Sequence, residues 1–126
     1  MNEDIKINEF IGKVFSKIEN DENYELLFHT ENETYKMYHE SDCCELVRIE
    51  DIEGDLNNLL NTPILQAEEV INEDYEKKWL KNQDENLLES YTWTFYKLAT
   101  INGYITIRWL GKSNGYYSER VDIIKI

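Results

Sequence analysis

Apolar and polar residues alternate with a period of two through much of this chain, the signature of half-buried β-strands. Gly12–Ile18, Tyr24–Thr30 and Glu33–Glu40 read as three strands of a meander, separated by the turn-rich runs Glu19-Asn20-Asp21-Glu22-Asn23 and Glu31-Asn32. The third strand is the clearest, with Tyr35, Met37 and His39 on one face and Lys36 and Tyr38 on the other. Before it, Ile5, Ile7 and Phe10 predict a short N-terminal helix or arm. Residues 43–49 suit a further strand, and the run from Ile49 to Asp55 reads as a turn into a short helix, Leu56–Leu60. Asp55 is its expected N-cap, and the helix should stop before Thr62-Pro63. Ile64–Ile71 is compatible with strand or helix. Residues 72–89 are polar and acidic, with Tyr75, Trp79 and Leu80 at helical spacing, and predict a mobile loop with a helical turn or two.

The last third is the most legible. Tyr91–Ile101 and Tyr104–Leu110 are rich in β-branched and aromatic residues and flank Asn102-Gly103, a strong hairpin signal. A two-residue turn there sets Ile101 against Tyr104 and, further along, Lys97 against Arg108. Alternation then separates a core face, Tyr96, Leu98, Ile105, Ile107 and Trp109, from a second face carrying Trp93, Phe95, Lys97, Tyr104, Thr106 and Arg108. The expected fold is α+β, mostly antiparallel β-meanders with one or two short helices, in one domain spanning residues 1–126.

Composition narrows the class. The chain has 126 residues, of which 41% are hydrophobic and 31% charged, enough for a core without metal or disulfide staples. No apolar run approaches the roughly 18 residues of a membrane span, and the acidic start MNEDIKINEF is unlike a signal peptide, so a cytoplasmic location is expected. Adjacent cysteines on a strand point to opposite faces, so Cys43 and Cys44 are expected as reduced thiols. The net charge of −13 speaks against nucleic acid as a partner. That charge is unevenly spread: residues 1–89 hold 24 acids against 8 Lys/Arg, while residues 90–126 hold 2 acids against 5.

The basic surplus therefore coincides with the aromatic hairpin. Lys97 opposite Arg108 is a destabilising like-charge pair that calls for compensation. With Trp93, Phe95 and Tyr104 around it, the face suits a phosphorylated ligand with a flat base, rings stacking on the base and cations holding phosphate. The plainer alternative is a solvated face whose cations are neutralised by acids from the first 89 residues. A second place to look is around Tyr38, His39 and Arg120. Other chemistry is poorly supported. His29, His39, Cys43 and Cys44 lack zinc-ligand spacing, and residues 50–55 lack the late Glu of a calcium loop. No nucleophile, phosphate-loop or dinucleotide motif is present, so neither turnover nor a cofactor or metal is expected.

Several longer segments carry a family resemblance: residues 37–45 (MYHESDCCE), 49–56 (IEDIEGDL), 89–100 (ESYTWTFYKLAT) and 106–119 (TIRWLGKSNGYYSE). From about Gly12 to the end, the chain resembles a small domain family common in bacteriophages, the first-described Thoeris anti-defence proteins. The resemblance implies a sponge for a cyclic nucleotide immune signal. The signal would be a cyclic ADP-ribose isomer made by TIR-domain enzymes, with cyclic oligonucleotides as further ligands. It also implies binding without cleavage, in a homo-oligomer (dimer or higher) within the host cytoplasm. The competing function class is an acidic phage protein that inhibits a host protein by direct binding or nucleic-acid mimicry.

Overall fold

The computed structural model describes residues 3–74, 90–114 and 117–126. The alternating segments pair into two antiparallel sheets. One has the order β1 (Glu3–Asp4), β9 (Asp122–Lys125), β4 (Thr34–Tyr38), β3 (Glu25–His29), β2 (Lys17–Asp21). The other has the order β5 (Leu46–Glu53), β8 (Gly103–Ser113), β7 (Ser90–Thr100), β6 (Gln66–Asp74). Leu26, Phe28, Tyr35, Met37 and Ile123 of the first sheet share one buried cluster with Val47, Ile49, Tyr96, Leu98, Ile105, Ile107 and Trp109 of the second. The Trp109 indole N–H donates to Met37 Sδ at 3.3 Å and links the two sheets. Phe10 fills one end of this core, its ring 4.9 Å from Phe15 and 5.1 Å from Phe28.

Helix is confined, among the described residues, to two four-residue 3-10 turns, Ile7–Phe10 and Leu56–Leu59. The α+β expectation thus holds in its antiparallel β part, while its helical part shrinks to these turns. Ile7 and Phe10 are three apart, which puts them on one side of a 3-10 turn, and both are buried. Asp55 caps the second turn as expected, accepting from Asn57 N at 2.9 Å. The strand-or-helix ambiguity of residues 64–71 resolves as β6 from Gln66 onward, because β7 supplies a full pairing partner, while Ile64 and Leu65 precede the strand. Residues 19–21, expected as turn, continue β2. They lie on an edge strand, where polar side chains stay in water. Of the expected mobile segment 72–89, residues 72–74 belong to β6, and the rest lies outside the described residues.

Two irregularities decide which side chains meet on the outer face of the β5-β8-β7-β6 sheet. The first is the hairpin. Thr100 pairs with Gly103, so the turn residues are Ile101 and Asn102, and only Gly103 takes positive φ (139°). Thr100 Oγ1 accepts from Asn102 N at 3.1 Å and donates to Asn58 O, which holds this shifted turn. The register therefore differs by two residues from the expected one. An even shift preserves the faces but changes every partner. Lys97 lies opposite Thr106 and Arg108 opposite Phe95, which corrects the expected Lys97–Arg108 pair.

The second irregularity is a β-bulge in β5. Ile49 pairs with Trp109 and Asp51 with Arg108, leaving Glu50 as the extra residue. Without it, Asp51 would point inward at Ile107 and Ile52 outward. With it, Ile52 packs on the core while Asp51 and Glu53 stand on the outer face.

Candidate functional site

The outer face of the second sheet collects five of the residues expected at a site. Trp93 and Phe95 are successive outward positions of β7, and their rings stack with 6.0 Å between centroids and 5° between planes. The Arg108 guanidinium sits over both, 5.5 Å from the Trp93 ring and 5.9 Å from that of Phe95. Lys97 and Tyr104 are exposed on the same face. All five are brought together as the alternation predicts.

Arg108, however, is not a free cation. Its Nε lies 3.1 Å from Asp51 Oδ1, a contact in which the N–H does not point at the oxygen. Its Nη1 donates to Glu53 Oε1 at 3.4 Å. The compensation that the sequence called for is a pair of carboxylates from β5, delivered by the bulge. This is the plainer alternative, realised at Arg108. Lys97 faces Glu68 across the β6–β7 ladder.

Two further cations on this face escaped the sequence reading. Arg48 of β5 pairs with Leu110 of β8, whose other neighbour is Trp93, so Arg48, Leu110 and Trp93 form one cross-strand row. Lys112 pairs with Leu46 and with Tyr91, whose ring lies 5.8 Å from its ammonium. Among the described residues, no carboxylate oxygen comes within the 4.0 Å ion-pair distance of Arg48, Lys97 or Lys112. The basic character of β8 was the one available signal. Arg48 lies in the acidic part of the sequence and reaches the face only through pairing.

Tyr38, His39 and Arg120 lie apart from this face, at the end of β4 and the approach to β9. His39 Nε2 is 2.9 Å from Glu45 Oε1, and Nδ1 is 2.7 Å from the Arg120 carbonyl. Glu45 also accepts from the backbone N–H groups of Asp42 (2.5 Å), Cys43 (3.2 Å) and Cys44 (3.1 Å). The Asp42 N–H first, and then His39, draw the Glu45 carboxyl down to about 2. His39 is thereby spent on closing a loop. Arg120 is exposed and pairs with Asp122 at 3.4 Å. Tyr38 lies under Lys36, whose ammonium is 4.4 Å from its ring, and burial raises its hydroxyl above the usual value.

Cys43 and Cys44 are joined by a disulfide, with 2.02 Å between the sulfurs, which corrects the expectation of two reduced thiols. They occupy the bend before β5 and not the strand itself, so strand alternation does not separate their side chains.

A hollow of about 590 Å³ lies elsewhere, between the β1/β9 edge and β6. Asp4, Glu68, Glu69 and Asp122 outnumber Lys6 and Arg120 in its lining, which suits a phosphorylated ligand less than the outer face does. Among the described residues no group of three or more His, Cys, Asp or Glu is arranged to hold a metal. Nor is any helix there long and apolar enough to cross a membrane.

The fold and face together define a small two-sheet antiparallel β-protein with a sheet surface that carries stacked aromatic rings among cations and carboxylates. The chain belongs to the family described as Domain of unknown function (DUF7448), whose model matches residues 8–123. No curated protein and no solved structure matches it.

Proposed function

We propose that this protein captures a cyclic nucleotide signal on the outer face of the β5-β8-β7-β6 sheet and holds it intact. One observation carries the reading. The chain has 26 acids and 13 Lys/Arg, yet on this face Arg48, Lys97, Arg108 and Lys112 match Glu50, Asp51, Glu53 and Glu68 one for one and gather around the stacked rings of Trp93 and Phe95. Rings of this kind offer a base a π-surface worth about 1–3 kcal/mol per stacked base, and unpaired cations beside them attract phosphate. The carboxylates of Asp51 and Glu53 are engaged by Arg108, which favours holding over turnover.

The family resemblance in the sequence directs the reading to a cyclic ADP-ribose isomer, with cyclic oligonucleotides as the wider class. In that setting the protein is a phage anti-defence sponge acting in the host cytoplasm. It works as a homo-oligomer, for which the exposed apolar side chains Leu65, Val70, Ile71 and Ile101 provide contact surface.

Calorimetry with cyclic ADP-ribose isomers and with cyclic di- and trinucleotides tests the proposal. At least one compound should bind tightly, Trp93→Ala should weaken it roughly tenfold to a hundredfold, and chromatography after long incubation should return the compound unchanged. Silence across the panel, or a linear product, refutes it.

A further inference from the structure

Arg48 and Lys112 stand out within the outer face. Lys13, Lys17, Lys36, Arg108, Arg120 and Lys125 each have a carboxylate within ion-pair distance. Among the described residues of this face Arg48, Lys97 and Lys112 do not, and of these three Arg48 and Lys112 are diagonal neighbours: Arg48 pairs with Leu110, and Lys112 pairs with Leu46. Together with Leu46, Leu110 and Glu50 they line a hollow of about 130 Å³. Glu50 is exposed and is the one carboxylate in this lining, so the hollow carries two positive charges against one negative.

The Arg48 side chain is also held in place. Asn23 O accepts from Ile49 N at 2.7 Å and docks the β2–β3 turn against β5. This sets the Tyr24 ring 5.7 Å from the Arg48 guanidinium. The Arg48 Nε is shielded from solvent and has no hydrogen-bond partner. A shielded N–H without an acceptor is costly, and a cation oriented on a ring with its donor unused is prepared for an anion.

We infer that Arg48 and Lys112, and not Arg108, hold a phosphoryl group in this hollow. The guanidinium offers parallel N–H donors to two phosphate oxygens, and the ammonium adds a point charge. Pockets that enclose a whole drug-sized ligand run from about 300 Å³ upward, so this hollow takes a phosphoryl group alone. The rest of the ligand lies along the row Arg48–Leu110–Trp93, which leads from the phosphate to the stacked rings. The inference rests on the nucleotide reading only for what the phosphate is attached to.

The test is a titration of the ¹⁵N-labelled wild-type protein with inorganic pyrophosphate and, separately, with ADP. Both should shift the Arg48 Nε–H resonance and the backbone amides of Leu46, Leu110 and Lys112, and ADP should also shift the Trp93 indole N–H. Arg48→Gln and Lys112→Gln should each weaken ADP binding roughly tenfold to a hundredfold, while Lys17→Gln, on β2 of the other sheet, changes it less than about threefold. Pyrophosphate shifts centred on Arg48, with no binding of any cyclic nucleotide, support this inference and sink the nucleotide reading. Nucleotide binding that needs Trp93 but survives both Arg48→Gln and Lys112→Gln sinks this inference and leaves the nucleotide reading standing. Shifts that cluster around Arg108 or around Arg120 also overturn it.

Discussion

Replacing Arg108 by Ala distinguishes the observed sheet register from the one expected from Asn102-Gly103. In the expected register, Arg108 faces Lys97, and its removal relieves a like-charge pair and leaves stability unchanged or raised. In the structure, the side chain is one-third exposed and makes two ion pairs, with Asp51 and Glu53, and two ring contacts, with Trp93 and Phe95. Half-exposed ion pairs contribute about 0.2–1 kcal/mol each, and exposed cation–π contacts about 0.5–1 kcal/mol each. The four contacts share one guanidinium and do not add fully, so the expected loss is about 1–2 kcal/mol. Loss of the cation also leaves Asp51 and Glu53 on one face without their partner.

Urea unfolding reads the effect directly. With a slope of about 1–3 kcal/mol per M, the midpoint should fall by roughly 1 M while the slope stays the same. In 1 M salt the ionic part of the loss should fade, because the Debye length shrinks to about 3 Å, while the ring part remains. Arg108→Lys should fall between the two, keeping a charge but losing the flat group that covers both rings. A midpoint for Arg108→Ala that is unchanged or raised refutes the assigned pairing and restores Lys97 as the neighbour.

Two further outcomes follow from the packing and the charges. At Gly111, an added Cβ would lie 2.8 Å from both the Cβ and the carbonyl oxygen of Glu119, whose carboxylate is held by Thr92 and Ser113. Gly111→Ala should therefore cost about 1–3 kcal/mol by overpacking, and a melting temperature within a degree of wild type would refute the close approach. Glu45 and Glu33 both have carboxyls drawn down from the ordinary 4.5 to about 2, Glu33 chiefly by Lys125 and then Tyr35. Depressed folded-state values give stabilisation that is present above about pH 4.5 and lost as the pH falls toward 2, so melting temperature should drop across that window. Glu45→Gln should flatten part of the drop, and an equally steep profile in Glu45→Gln and Glu33→Gln would refute the assignment.

Which face each residue of the β7–β8 hairpin occupies was legible from alternation alone. Tyr96, Leu98, Ile105, Ile107 and Trp109 are buried as their spacing predicts, and Trp93, Phe95, Lys97, Tyr104 and Arg108 share the opposite face. The Asp55 cap and the antiparallel β character were equally local and equally readable. These features need only the pleat of a strand or one turn of chain, so neighbouring residues encode them. Pairing is different, because it is settled by contacts between distant segments. The hairpin slid by two residues because Thr100 bonds to Asn102 and to Asn58, the latter far away in sequence. The bulge at Glu50 turned Asp51 toward Arg108, which no pattern within β5 announces. Arg48 and Lys112 lie on separate segments and meet only because β5 chose β8 as its partner. Alternation specifies a side, whereas a site requires neighbours, and only the assembled sheet supplied those.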